Sequence, residues 1–238
     1  PEVMQYLEAE NAYAEARLAP LQPLQDKLVA EMRSRVKEDD SSVPAFDNGW
    51  WLWRRFQPGA EYGQWMRRRG GPEAPQADAP EELILDEPAR AAGHAYYNAT
   101  AVALSPSGRL LAWAEDTTGR RIYTLRILDL RSGRLLANEV SGITGGIVWG
   151  GDDRALYYLR QDPVTLQGEA VMRLTLGGKP AEVYREKDKT LFLSIDLSAS
   201  REKVLIHLDG YDQTETLELA ADGRPHRARV VLARRAGI

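Results

Sequence analysis

The chain contains no cysteine. Disulfides, thiolate metal sites and a cysteine nucleophile are therefore excluded. Histidine is nearly as scarce: His94, His207 and His226 are the whole supply, and they lie far apart in sequence. Few ways remain to build a general base or a metal cage, and no metal or other cofactor is expected. No run of about 18 apolar residues occurs, so no transmembrane helix is expected. The chain begins at Pro1-Glu2-Val3, without an initiator Met or a basic-then-apolar leader, and reads as a piece of something longer. A strong basic field is also missing, since 31 Lys and Arg face 35 Asp and Glu for a net charge of −4. Neither nucleic acid nor a membrane is an expected partner. Two catalytic patterns are absent as well. There is no Gly-x-Ser-x-Gly nucleophile elbow and no Gly-x-x-x-x-Gly-Lys phosphate loop. Ser105, before Pro106, and Ser132, before Gly133, read as turn serines.

What is present suffices for a core. The 238 residues are 43% hydrophobic and 28% charged, the balance of a folded domain. The beginning reads as helical. Pro1 suits a first turn, and Glu2, Glu8 and Glu10 place acid toward the positive end. Val3, Tyr6, Leu7 and Tyr13 form one stripe, which Ala19-Pro20 should interrupt. Leu21, Leu24, Leu28 and Met32 form a second stripe at the helical period, predicting a helix over 21–36. The polar block from Lys37 to Pro44 ends this character, so residues 1–43 are taken as a helical segment and 44–238 as a second unit.

From residue 44 onward, short aromatic and β-branched runs alternate with turn residues. Trp50–Trp53, Leu110–Trp113, Tyr123–Ile127, Ile147–Trp149, Leu156–Tyr158 and Val204–Ile206 are the clearest. No helix-length periodic segment separates them, which argues against alternating βαβ units. Four segments align: a polar turn, a strand, a polar loop, a second strand. With Asn48, Ser107, Asp152 and Ser200 as markers, the steps are 59, 45 and 48 residues. The first is long because of the loop-like Gly70-Gly71-Pro72-Glu73-Ala74-Pro75. Steps of this size suit four-stranded propeller blades. The expected fold is mainly β: a helical segment followed by about four blades of a β-propeller, either a small complete ring or part of a larger one.

Several stretches then carry a resemblance. Tyr6-Leu7-Glu8-Ala9-Glu10-Asn11-Ala12-Tyr13 resembles the N-terminal helix of the prolyl oligopeptidase family. Leu104–Ala112, Asp116–Arg126 and Val148-Trp149 with Asp152-Asp153 are similar to its early blades, and Glu186-Lys187-Asp188 also fits. Tyr158-Leu159-Arg160-Gln161-Asp162-Pro163-Val164-Thr165-Leu166 is similar to the oligopeptidase B branch, which cuts after Arg or Lys. The resemblance implies a seven-bladed propeller capping an α/β-hydrolase domain that carries a Ser-Asp-His triad beyond residue 238. It implies that the helices pack on that domain, that short basic peptides are the substrates, and that the parent is cytoplasmic. No catalytic residue is expected in this chain.

In that family, loops joining the second and third strands of a blade, and connections between blades, face the hydrolase domain. Here these are Asp116–Arg121, Ser141–Gly146 and Arg160–Gly168. Arg120, Arg121, Thr144, Arg160 and Asp162 are the resulting candidates for chamber or interdomain contacts, beside the plainer reading that they are turn residues. The basic clusters Arg54-Arg55 and Arg67-Arg68-Arg69 read as solvated strand ends or ion pairs. A stand-alone propeller acting as an interaction module is the rival reading.

Overall fold

The computed structural model describes residues 2–137, 139–235 and 237. Helix α1 (Glu2–Leu18) leads through a 3-10 turn (Ala19–Leu21) into α2 (Gln22–Ser34). Pro20 therefore tightens one turn and does not end the helical run. Neither helix has a buried residue. Both stripes read from the sequence face solvent: Tyr6, Leu7, Leu21, Leu24, Leu28 and Met32 are all exposed.

Four four-stranded units follow. The first is β1 (Ala45–Asp47), β2 (Trp50–Arg55), β3 (Gln64–Arg69) and β4 (Glu81–Asp86), paired in that order. Asn48-Gly49 makes its first turn with both residues at positive φ, the geometry that a two-residue hairpin prefers. The Gly70–Pro75 insert is the β3–β4 turn, closed by a bridge between its ends. A short helix, α3 (Glu87–Ala91), comes next, with Asp86 accepting from the Ala89 amide at 3.0 Å. The sequence pattern gave no sign of this single turn, because five residues carry no period. It adds to the insert in lengthening the first repeat.

The second unit is β5 (Asn98–Leu104), β6 (Leu110–Asp116), β7 (Tyr123–Asp129), the short β8 (Arg134–Leu135) and the start of β9 (Val140–Trp149). The end of β9 opens the third unit, continued by β10 (Ala155–Gln161), β11 (Gly168–Thr175) and β12 (Ala181–Arg185). The fourth unit is β13 (Phe192–Leu197), β14 (Lys203–Asp209), β15 (Thr214–Ala220) and β16 (Arg229–Leu232). Each has the antiparallel order of a propeller blade.

The core lies between blades. Trp50, Ile84, Leu111 and Trp113 join the first to the second. Ala112, Ile127, Leu156 and Tyr158 join the second to the third. Tyr157, Leu159, Ile195 and Ile206 join the third to the fourth. A strand buried on both faces cannot alternate apolar with polar. That is why β6 reads Leu-Leu-Ala-Trp-Ala and is buried throughout. The fourth blade shows the contrast: β13 buries Leu193 and Ile195 while Phe192, Ser194 and Asp196 stand exposed. Among the described residues no buried cluster joins the fourth blade to the first. The arrangement is a curled stack of four blades, a partial propeller.

Candidate functional site

The β2–β3, β6–β7, β10–β11 and β14–β15 loops emerge on one face of the stack, together with the links between blades. The β6–β7 loop is built around Asp116. One carboxylate oxygen accepts from the Thr118 amide and hydroxyl, both at 2.8 Å, and from the Gly119 amide at 3.2 Å. The other accepts from the Arg121 amide at 2.8 Å. Burial works against the charge, but the donors from Thr118, Arg121 and Gly119 outweigh it and hold the carboxyl below its ordinary range. The result is a rigid turn in which Arg121 has φ +59°. It presents Arg120 and Arg121 exposed. Among the described residues neither side chain has an ion-pair partner.

The neighbouring β10–β11 loop is organised by Asp162 in the same way. Its carboxylate accepts from Lys189 Nζ at 2.8 Å and from the amides of Thr165 (3.0 Å) and Val164 (2.9 Å). Lys189 above all, and then these amides, hold the carboxyl far below its usual range. In Asp162→Asn the charge is lost, and hydrogen exchange at the Val164 and Thr165 amides is expected to quicken several-fold. Unchanged protection there would show that the loop is held by something else.

Buried Gln161 ties the two loops together, its Nε2 donating to the Arg121 carbonyl at 2.8 Å and to the Leu166 carbonyl at 2.9 Å. Arg160 is fully engaged nearby. It meets Glu169 at 3.0 Å and Glu182 at 2.9 Å, and Arg185 shares both carboxylates. Thr144 requires a correction. Ser141-Gly142-Ile143-Thr144 is not an inter-blade turn but part of β9, which runs unbroken from one blade to the next. Thr144, Gly145 and Gly146 form a bulge opposite Leu159. A Cβ on Gly145 or Gly146 would stand 3.1 Å from Thr100 or Leu159, so small residues let the chain cross here.

The structure thus gathers Arg120, Arg121, Arg160 and Asp162 on one rim, with Thr144 half-buried beside them in the strand. Sequence reasoning missed what anchors the rim. Asp116-Thr117-Thr118-Gly119 had a legible signal, an Asp beside turn residues. Gln161 had none, and neither did Arg234, which returns from beyond β16 to meet Glu186 at 2.8 Å and Glu215 at 2.6 Å. The basic clusters of the first blade are spent internally. Arg54 pairs with Glu87, Arg55 with Glu81 and Arg67 with Glu82, while Arg67 and Arg69 stack on Trp50.

The rim offers docking chemistry. His207 Nδ1 faces the Thr216 hydroxyl at 3.3 Å, and His226 Nε2 meets Asp222 at 2.7 Å, both elsewhere on the fourth blade. Among the described residues no group of three or more His, Cys, Asp or Glu could hold a metal ion. Among the described residues no helix is long and apolar enough to cross a membrane.

Stacked four-stranded blades with their loops gathered on one face define a partial β-propeller. The family described as the prolyl oligopeptidase N-terminal beta-propeller domain matches residues 1–230. The chain belongs to the prolyl oligopeptidase family. It is 39% identical over 227 residues to dipeptidyl aminopeptidase BI of Pseudoxanthomonas mexicana, covering 90% of this chain and 31% of that one. It is 27% identical to Protease 2 of Moraxella lacunata, over 100% of this chain and 35% of that one. Oligopeptidase B from Leishmania major superposes with a TM-score of 0.91 at 28% identity, over 100% of this chain and 34% of that chain. The chain therefore spans about a third of the length of these relatives.

Proposed function

We propose that this chain is the helical and propeller portion of a cytoplasmic serine oligopeptidase that cleaves short peptides after Arg or Lys. The observation that carries the reading is the likeness to oligopeptidase B at a TM-score of 0.91 over the entire chain, helices included. The division at residues 1–43 and 44–238 belongs to the same proposal. Helices α1 and α2 expose their apolar stripes and bury nothing, which suits packing against a C-terminal α/β-hydrolase domain. The rim with Arg120 and Arg121 faces that domain and pairs with its carboxylates or with those of a peptide. The propeller's part is steric: it encloses the active site, and separation of the two bodies admits short peptides. The triad and the acids that select a basic side chain belong to the other body, because acyl transfer needs a nucleophile, base and orienting acid in mutual contact.

The test compares two proteins. The isolated 238-residue chain is expected to give no turnover of an Arg-containing chromogenic peptide. The peptidase-length protein is expected to turn it over, to prefer Arg and Lys over other residues, and to stop on treatment with a serine-directed inhibitor. Turnover by the isolated chain, or indifference to the basic residue, overturns the reading.

A further inference from the structure

The opposite face of the stack, where the first and second strands of each blade turn, is cross-linked in sequence. Asn48 Nδ2 donates to the Pro106 carbonyl at 2.6 Å, linking the first blade to the second. The Ser107 amide donates to Asp153 at 3.0 Å, linking the second to the third. The Gly151 amide donates to the Ala221 carbonyl, linking the third to the fourth. The circuit then closes: Arg201 of the fourth blade reaches Asp47 of the first at 2.5 Å, across 154 residues of sequence.

This last link differs in kind from the others. Among the described residues the fourth and first blades share no buried cluster, and both side chains of the pair are about a third exposed (37% and 34%). Two cavities meet at it. One, of about 660 Å³, lies outside among the turns, lined by Asn48, Gly151, Asp152 and Arg201. The other, of about 310 Å³, lies inside among the inner strands, lined by Asp47, Val102, Ala103, Ile147, Asp196 and again by Arg201.

The backbone under Arg201 is also unusual. In the β5–β6 turn the Gly108 amide donates to the Ser105 carbonyl at 2.8 Å, and Gly108 has φ +74°. In the β13–β14 turn the Arg201 amide donates to the Ser198 carbonyl at 2.8 Å, and Arg201 has φ +61°. The two turns are equivalent, and the left-handed position that favours glycine carries arginine in the fourth blade. Local strain of this sort persists where the side chain has a use. Here the use is to aim a long cation across the axis.

We propose that Asp47 and Arg201 form a latch across the ring axis, fixing the span between the first and fourth blades and shutting the turn-side mouth of the axial channel. The consequence for peptide traffic rests on the peptidase reading; the latch itself does not. With this mouth shut, peptides reach the enclosed space from the rim side.

The absence of cysteine makes the test direct. In the isolated chain, an Asp47→Cys/Arg201→Cys variant is expected to be bridged within one molecule by a short bismaleimide, while Asp47→Cys/Asp153→Cys is not. Failure of the first pair overturns the latch whatever the chain's function. In the peptidase-length protein, a single thiol from Ala103→Cys reports on the inner cavity. Its labelling by a bulky maleimide is expected to quicken several-fold in Arg201→Gly, a substitution that relaxes the turn and so keeps the fold. The swap Asp47→Arg/Arg201→Asp is expected to return the rate to that of the parent. Equal rates in all three backgrounds overturn the shutter. Loss of peptidase activity with bridging and labelling intact counts against the peptidase reading alone.

Discussion

Glu115→Ala is expected to destabilise the chain by about 3 kcal/mol, the lower end of the range for breaking a buried ion pair. Glu115 ends β6 and is buried. Its carboxylate accepts from both Nε and Nη2 of Arg90 at 2.8 Å and from Arg126 Nε at 2.6 Å. Trp113 Nε1 and the Tyr97 hydroxyl complete the shell, each at 3.3 Å. One carboxylate thus ties α3, which follows the first blade, to the second and third strands of the second blade. Removing it leaves two guanidiniums and two aromatic donors facing a void. The lower end of the range applies because the arginines are about a quarter exposed (27% and 26%) and can turn toward water. Urea unfolding is the measurement, and Glu115→Gln, which keeps the shape and loses the charge, should fall between the variant and the parent. A loss under about 1 kcal/mol would place this cluster with ordinary surface pairs.

The same group sets a pH dependence. Burial raises the Glu115 pKa, but the hydrogen bonds from Arg126 and Arg90 lower it further, so the folded value lies below the ordinary 4.5. A carboxyl with a depressed folded pKa contributes stability that is complete above its unfolded value and is lost as pH falls through the folded one. Glu87 works in the opposite sense. Its burial outweighs Arg54 and leaves its pKa raised, so its contribution is present at low pH and is lost as pH rises through the raised value. The acid limb of stability should therefore flatten in Glu115→Gln relative to the parent.

The blade framework was legible in the sequence because it is written in local terms. Turn residues such as Ser107-Gly108 precede runs such as Leu110–Trp113, and the spacing of these units is set by four strands and their turns. Strands such as β6 and β10 were legible because they are buried on both faces and read as dense apolar runs. The outer strands were not. β12 and β16 lie at sheet edges with little burial, so their composition carries almost no period. The rim was legible only as a set of loops, a placement that came with the family resemblance. What holds it together joins residues far apart: Gln161 to Arg121 across 40 positions, and Arg234 to Glu186 across 48. Such pairs depend on how the blades stack, and no spacing within one loop encodes that. The exposed stripes of α1 and α2 show the reverse case. The sequence expressed apolar stripes, and among the described residues neither helix buries any side chain.

Gly108→Ala is expected to cost about 2–5 kcal/mol, from left-handed strain of about 1–2 kcal/mol and overpacking of about 1–3 kcal/mol. Two independent demands meet at this glycine. Its φ of +74° closes the β5–β6 turn, and its missing side chain leaves room for the first blade. A Cβ here would overlap Trp50 Nε1, with Trp50 Cε2 only 2.9 Å away. Trp50 has nowhere to retreat. Its ring lies against Arg67, whose guanidinium carbon is 3.8 Å from the ring centre, and Arg69 stands at 4.4 Å. Arg67 in turn donates to the Gly108 carbonyl and pairs with Glu82. A methyl group at position 108 therefore pushes on the indole, the indole pushes on a paired arginine, and the seam between the first two blades opens. Gly133→Ala separates the two contributions. Gly133 has a similar φ of +69° with nothing within 4 Å of its Cβ position, so that variant should show the strain alone, about 1–2 kcal/mol. Equal losses for the two variants in urea unfolding would mean that Trp50 yields freely and that this seam is softer than its packing indicates.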